Sequence, residues 1–140
     1  MKLFRCLLVV FGFALPYLAR LPRGAAWLQQ YTHLSGLAGF LFLSAFNAIP
    51  VIAMLALTFV YRKRSSALFP AAAGFAFLGW HHAQLDLSAD AQAAIALIFI
   101  PIYALAPIAL GAGLGFLFDR FCTRHETGSP DPHRREPEIH

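Results

Sequence analysis

The chain has 140 residues, of which 59% are hydrophobic and only 13% are charged. An ordinary soluble domain carries roughly 25% charged residues, so this composition excludes a soluble fold that covers its surface with polar side chains. The formal net charge of +4 does not indicate a nucleic-acid-binding protein, because the basic residues border long apolar runs instead of forming a basic stripe. We therefore expect an all-α integral membrane protein.

The first apolar run covers residues 3–21 and follows the basic Lys2. It resembles a signal peptide in its basic start, but a cut after Ala19 would leave Tyr17 at a position that requires a small residue. We therefore expect the run to be retained as a membrane span, with three spans remaining if it were removed. The connector that follows contains Trp27 and Tyr31, and such residues favour a short helix at the membrane surface.

Three further apolar runs have lengths suited to crossing a bilayer. They cover residues 37–61, 67–85 and 93–118. The last run contains Pro101 and Pro107, which predict a kinked helix. Residues 1–118 are thus predicted to form a small four-helix transmembrane bundle. Residues 119–140 are polar and rich in proline, and we expect a disordered tail there.

The basic residues predict the orientation of the bundle. Arg62, Lys63 and Arg64 form a compact cluster after the second run, and four more arginines lie in the tail. Cytoplasmic segments of membrane proteins carry an excess of Lys and Arg. With four spans, this predicts that both termini lie on the cytoplasmic side of a bacterial inner membrane.

Helices in a bilayer associate through close packing of small residues and through interhelical hydrogen bonds. Small or polar residues recur at helical spacing in three of the runs, and we expect them to form either an internal packing face or a face for a partner helix. They are Gly36, Ser44 and Asn47 in the second run, Ala72, Ala76 and Gly79 in the third, and Gly111 and Gly115 in the last. Asn47 is the most polar of these at depth, and we expect it to bond a neighbouring helix.

One pair of side chains resembles part of a metal site. His82 and Asp86 would share a helix face if the helix continued past Leu85, and imidazole with carboxylate suits zinc. However, Ser88 is a plausible N-cap of the last helix, with Asp90 in its first turn, and this predicts a chain break before it. We expect neither a metal nor a cofactor, and the sequence contains none of the common catalytic or nucleotide-binding motifs.

These observations favour a non-catalytic protein that contacts another membrane protein through its helices. An immunity or inhibitor protein against a membrane-acting toxin is one example of this class. One alternative is a small transporter or channel subunit that forms a homo-oligomer, because four short helices enclose little space. Another alternative is a membrane enzyme that uses the His82 and Asp86 region.

Overall fold

The computed structural model of the protein describes residues 2–32, 36–89 and 92–127, with the backbone alone for 123–127. Within these ranges the chain forms six α-helices, one 3₁₀ turn and no strand, which confirms the all-helical prediction. The elements are α1 (Lys2–Leu18), the 3₁₀ turn (Leu21–Arg23), α2 (Ala25–Thr32), α3 (Leu37–Val60), α4 (Leu68–Gln84), α5 (Ala93–Tyr103) and α6 (Leu105–Thr127).

Three segments of the described residues are long and apolar enough to cross a membrane, and they suggest a membrane protein. They are Lys2–Arg23, Leu37–Val60 and Ala93–Cys122. Helix α4 has 17 residues, and at 1.5 Å per residue its length of about 26 Å falls slightly short of a hydrocarbon core of about 30 Å. A fourth span at α4 therefore stays a prediction.

The long helices run alternately up and down. Arg5 near the start of α1 bonds Thr58 near the end of α3, so these two helices are antiparallel. The starts of α1 and α4 lie side by side and border one groove. Gly111 of α6 lies against Phe69 and Pro70, whereas Gly115, one turn later, lies against Ser66, just before α4 begins. The two helices α4 and α6 are therefore antiparallel, and they pack closely.

The apolar core lies in the middle of the bundle. Leu8 of α1, Met54 of α3, Leu78 of α4 and Ile108 of α6 are each at most 3% exposed and belong to one cluster. Gly74 allows α4 to approach its neighbours here, because a Cβ at this position would lie 2.7 Å from Ile108 Cγ1. The helices therefore pack by fitting large side chains against small ones, which is how bilayer helices associate.

The last apolar run divides at Ala104, between α5 and α6. Pro107 has no N–H to donate to the carbonyl oxygen of Tyr103, the last residue of α5, and a proline ring also displaces the preceding turn. Helix α6 then continues past Phe118, the predicted end of the membrane domain, to Thr127. Asp119 lies in this extension and accepts hydrogen bonds from the Lys63 N–H and the Ser66 hydroxyl, which tie α6 to the α3–α4 turn. Residues 128–140, the rest of the predicted disordered tail, lie outside the described residues.

The predicted packing positions separate into three groups. Asn47, Gly111 and Gly115 are buried within the bundle, whereas Ser44 and Gly79 are half-buried. The other three, Gly36, Ala72 and Ala76, are exposed. Helix α4 turns its Gly74 and Leu78 face inward instead, because in an apolar run the side-chain fit between helices selects the inner face. For Ala72 and Ala76 only the role of a partner face remains open.

Gly111 and Gly115 of α6 face α4, and we expect the stability of the protein to be sensitive to larger side chains at these positions. A Cβ at Gly111 would lie 2.7 Å from the Phe69 carbonyl oxygen and 2.8 Å from Pro70 Cα, and backbone atoms cannot yield as flexible side chains do. We expect Gly111→Ala to lower the free energy of unfolding by about 1–3 kcal/mol. Denaturant unfolding in detergent micelles measures this change.

Gly113 gives the matched control, since a Cβ there meets no atom within 4 Å. Gly113→Ala should leave stability unchanged or raise it by up to about 1 kcal/mol, because alanine favours the helix. Equal effects of the two substitutions would contradict the close packing of α6 on α4.

Candidate functional site

A fully buried arginine lies at the end of the bundle opposite the Arg62–Arg64 cluster. Arg20 is 0% exposed and follows α1 directly. Its Nε donates to the Trp27 carbonyl oxygen at 2.8 Å, and its Nη1 donates to the carbonyl oxygens of His82 at 3.1 Å and Leu85 at 2.7 Å. Its Nη2 donates to Gln30 Oε1. One guanidinium thus joins α1, α2 and the end of α4.

Local structure explains this placement. The chain turns at Leu21–Arg23, and α2 then folds back beside the ends of α1 and α4. The last turn of α4 leaves carbonyl oxygens without helical partners, and a cation near a helix C-terminus is stabilised by the helix dipole. The Arg20 Cζ atom also lies 4.0 Å from the centre of the Tyr31 ring, within the range of a cation–π contact.

A second chain of hydrogen bonds crosses the bundle beside Arg20. The Tyr31 hydroxyl lies 2.7 Å from His82 Nδ1, and His82 Nε2 lies 3.3 Å from Asn47 Oδ1. Asn47 Nδ2 donates to the Leu43 carbonyl oxygen at 3.0 Å. Because the Asn47 amide nitrogen is used there, its oxygen accepts from His82 Nε2–H, and His82 Nδ1 accepts from the Tyr31 hydroxyl. The bonds therefore favour a neutral His82 with its proton on Nε2.

This chain of bonds reaches deep into the bundle. Asn47, His82 and Tyr31 are each at most 2% exposed. Asn47 lies about 15 Å along α3 from its first residue, Leu37, at a rise of 1.5 Å per residue, close to the middle of the helix. Polar side chains at such depth need partners, since lipid provides none. Burial raises the pKa of Tyr31 to about 12, although the nearby Arg20 opposes the shift.

The outer rim of this cluster contains Gln30 and Asp86. Gln30 Nε2 donates to Asp86 Oδ1 at 2.9 Å, and Gln30 Oε1 also accepts the Leu87 N–H. Asp86 Oδ1 accepts from the Ser88 hydroxyl at 2.6 Å and the Ser88 N–H at 2.9 Å. The hydrogen bonds from Ser88 hold the pKa of Asp86 below its usual value. Gln30 thus connects the guanidinium to the carboxylate.

The predicted helix cap at Ser88 is wrong. Ser88 closes a turn onto Asp86, and α5 begins later, with Gln92 as its N-cap residue. Asp90, which was expected in the first turn of α5, lies outside the described residues.

The structure also separates His82 from Asp86, the pair of side chains that resembles part of a metal site. Helix α4 ends at Gln84, so Asp86 does not continue the helix face of His82. Both ring nitrogens of His82 already have partners. Within the described part of the chain, no group of three or more His, Cys, Asp or Glu side chains is arranged to hold a metal ion.

The opposite end of the bundle has a polar layer of its own. Arg5 Nε donates to Thr58 Oγ1 at 2.9 Å, and the Tyr61 hydroxyl donates to the Ala112 carbonyl oxygen at 2.9 Å. Asp119 joins α6 to the α3–α4 turn through its bonds to the backbone N–H groups of Arg62 and Lys63. These contacts join all the long helices at this end as well.

Sequence reasoning identified Asn47 as an interhelical partner and found the right kind of contact, a hydrogen bond from another helix. It gave Arg20 no role and treated Tyr31 as an interfacial aromatic residue, and it missed that both are buried. One signal was present, because Arg20 lies within the last residues of the apolar run 3–21. Its partners, however, lie on α2 and at the end of α4, distant in the chain.

No protein family model, curated protein or solved structure matches this chain. The arrangement of its own residues is therefore the basis for any functional conclusion. The buried cluster of Arg20, Tyr31, His82 and Asn47 is the main chemical feature of the described residues.

The Tyr31 hydroxyl should contribute measurably to stability. Tyr31→Phe removes the donor to His82 Nδ1 and leaves a buried acceptor without a partner, which costs about 1–3 kcal/mol. Thermal unfolding in micelles measures the loss. Tyr103→Phe is the control, because Tyr103 is 60% exposed on α5, and it should change little. A Tyr31→Phe protein as stable as the wild type would refute the hydrogen-bonded chain.

Replacement of Arg20 should be more severe. Arg20→Gln leaves several carbonyl oxygens without donors, and we expect a loss of at least about 3 kcal/mol or failure to fold. Arg23 is exposed and donates to Gln84 Oε1, so Arg23→Gln should cost no more than about 1 kcal/mol. Protease resistance and unfolding of the two variants in the same detergent distinguish them, and similar losses would argue against a special role of Arg20.

Proposed function

We propose that this protein is a non-catalytic component of a bacterial inner membrane that acts by helix contact with another membrane protein. The observation that carries the proposal is the closed buried cluster. Tyr31, His82 and Asn47 bond one another in a chain that ends on the Leu43 carbonyl oxygen. The polar side chains of this cluster thus form hydrogen bonds that hold the helices together.

Catalysis or transport would require a polar side chain that faces a substrate. His82 offers neither ring nitrogen to one, and the Arg20 guanidinium bonds four oxygen atoms of the same chain. Asp86 is engaged by Ser88 and Gln30. The enzyme alternative therefore has little support from this cluster, which favours a structural role and leaves the outer helix surface for function.

Helix α4 offers the clearest contact face. Ala72 and Ala76 are exposed one turn apart, while Phe69 and Trp80 flank them at 37% and 66% exposure. Small residues allow the backbone of a second helix to approach closely, and the large flanking residues can enclose it. The glycine pair of α6 is already packed against α4, so α4 is the better surface for a partner.

The distribution of charge supports the proposed orientation. Arg5 and the Arg62–Arg64 cluster lie at one end of the bundle, and Arg20 and Arg23 lie at the other. An end rich in basic residues is typical of the cytoplasmic side. Helix α1 contributes Leu8 and Leu15 to the core, which supports its retention as a first span, with both termini in the cytoplasm.

An immunity protein that binds a membrane-inserting toxin is a concrete example of the proposed class. Its partner would present an apolar helix to α4 within the bilayer. A homo-oligomer would use the same face between two copies, and this arrangement would favour the channel or transporter alternative.

The proposal predicts that larger side chains on α4 weaken partner binding without unfolding the protein. We expect the Ala72→Leu and Ala76→Leu double variant to capture about tenfold less partner, or less still, from membranes in mild detergent. The larger leucine side chains would hold the partner helix away from α4. Quantitative mass spectrometry of the captured material measures the loss.

Ala56→Leu is the matched control, because Ala56 is likewise exposed but lies on α3. It should retain the partner. Equal capture by both variants, with normal thermal stability, would remove α4 from the proposal, and capture of the chain alone would favour the homo-oligomer.

A further inference from the structure

We propose that the groove between the starts of α1 and α4 binds an anionic phospholipid of the adjacent leaflet. The groove has a volume of about 420 Å³. Four apolar side chains and two polar residues line it: Leu3, Phe4, Leu7, Leu68, Arg64 and Ser65. This inference is independent of the partner face on α4.

The groove has an apolar wall and a polar end, which suit the acyl chain and the headgroup of a lipid. Leu3 is 73% exposed and Leu68 is 54% exposed, so the apolar wall is accessible from the bilayer. Arg64 and Ser65 are also exposed and belong to the turn that precedes α4. A lipid chain along the leucines would therefore place its phosphate beside a guanidinium and a hydroxyl, and a guanidinium can donate two parallel hydrogen bonds to phosphate.

The charges around the groove favour an anionic lipid. Lys2 and Arg5 are chain neighbours of the lining residues Leu3 and Phe4, and Arg64 of the Arg62–Arg64 cluster lines the groove itself. Asp119, an acidic residue at this end, already accepts hydrogen bonds from the α3–α4 turn. Basic pockets between membrane helices on the cytoplasmic side are known to suit anionic headgroups.

Arg64 is the basic residue that lines the groove. Arg5 is directed elsewhere, because its guanidinium bonds Thr58 and lies 3.6 Å from the centre of the Phe59 ring. Arg62 is exposed in the same turn but does not line the groove. The two arginines therefore carry the same charge in the same turn and differ in their position relative to the groove.

This difference allows a sharp test by native mass spectrometry of the full chain released from micelles. Phosphatidylglycerol and phosphatidylcholine with identical acyl chains are titrated into the wild type, Arg64→Gln and Arg62→Gln. We expect Arg64→Gln to bind phosphatidylglycerol with about fivefold lower affinity than the wild type. This is the contribution that one cation near the membrane surface makes to binding. Arg62→Gln should change it by less than about twofold, and phosphatidylcholine should bind weakly to all three proteins.

Three outcomes would overturn the proposal. Equal losses in the two variants would mean that the basic cluster attracts lipid by diffuse charge alone. Equal binding of the two lipids would mean that the groove does not select a headgroup. A dimer without a lipid adduct would assign the groove to a second copy of the chain. Thermal unfolding of each variant in phosphatidylcholine verifies that the fold is intact. We expect unchanged stability for Arg64→Gln, because Arg64 is exposed.

Discussion

A guanidinium carries five N–H donors and a charge that cannot be removed by deprotonation, so its burial must be accompanied by acceptors in a fixed arrangement. Arg20 meets this requirement with carbonyl oxygens from α2 and from the end of α4, together with the Gln30 side chain. Because these acceptors come from separate elements, Arg20 determines how α2 and α4 lie relative to α1. The chain from Tyr31 through His82 to Asn47 then extends the same constraint to α3.

The bundle consequently has two polar layers with an apolar core between them. Arg20 and its partners form one layer, and Asp119 with the α3–α4 turn forms part of the other. Apolar burial gives no preference between a neighbouring helix and lipid. Directional bonds at both ends and close packing of glycines such as Gly111 and Gly74 between them supply that preference. The two layers also differ in charge, since the basic cluster lies beside Asp119.

The predictability of each feature follows from how local its physical cause is. The second span was predicted at residues 37–61 and is found at Leu37–Val60, because length and hydropathy are properties of one segment. The break between Pro101 and Pro107 was predictable for the same reason. The end of α6 was not, because residues 119–127 are mostly polar and hydropathy gives no helix signal there. The face that α4 turns inward was not predictable either, since Ala72 and Leu78 are both apolar and only their fit to neighbouring helices distinguishes them.

The sequence by itself determined that this chain is helical and suited to a membrane, and that its basic residues collect near the ends of its apolar runs. It also determined that Asn47 needs a partner, since an amide at depth in lipid must be hydrogen-bonded. Only the tertiary structure decided that the partner is His82 and that Arg20 is buried while Arg23 is exposed. The physical reason is that hydropathy is summed along the chain, whereas the burial of a charge depends on acceptors that distant segments bring together.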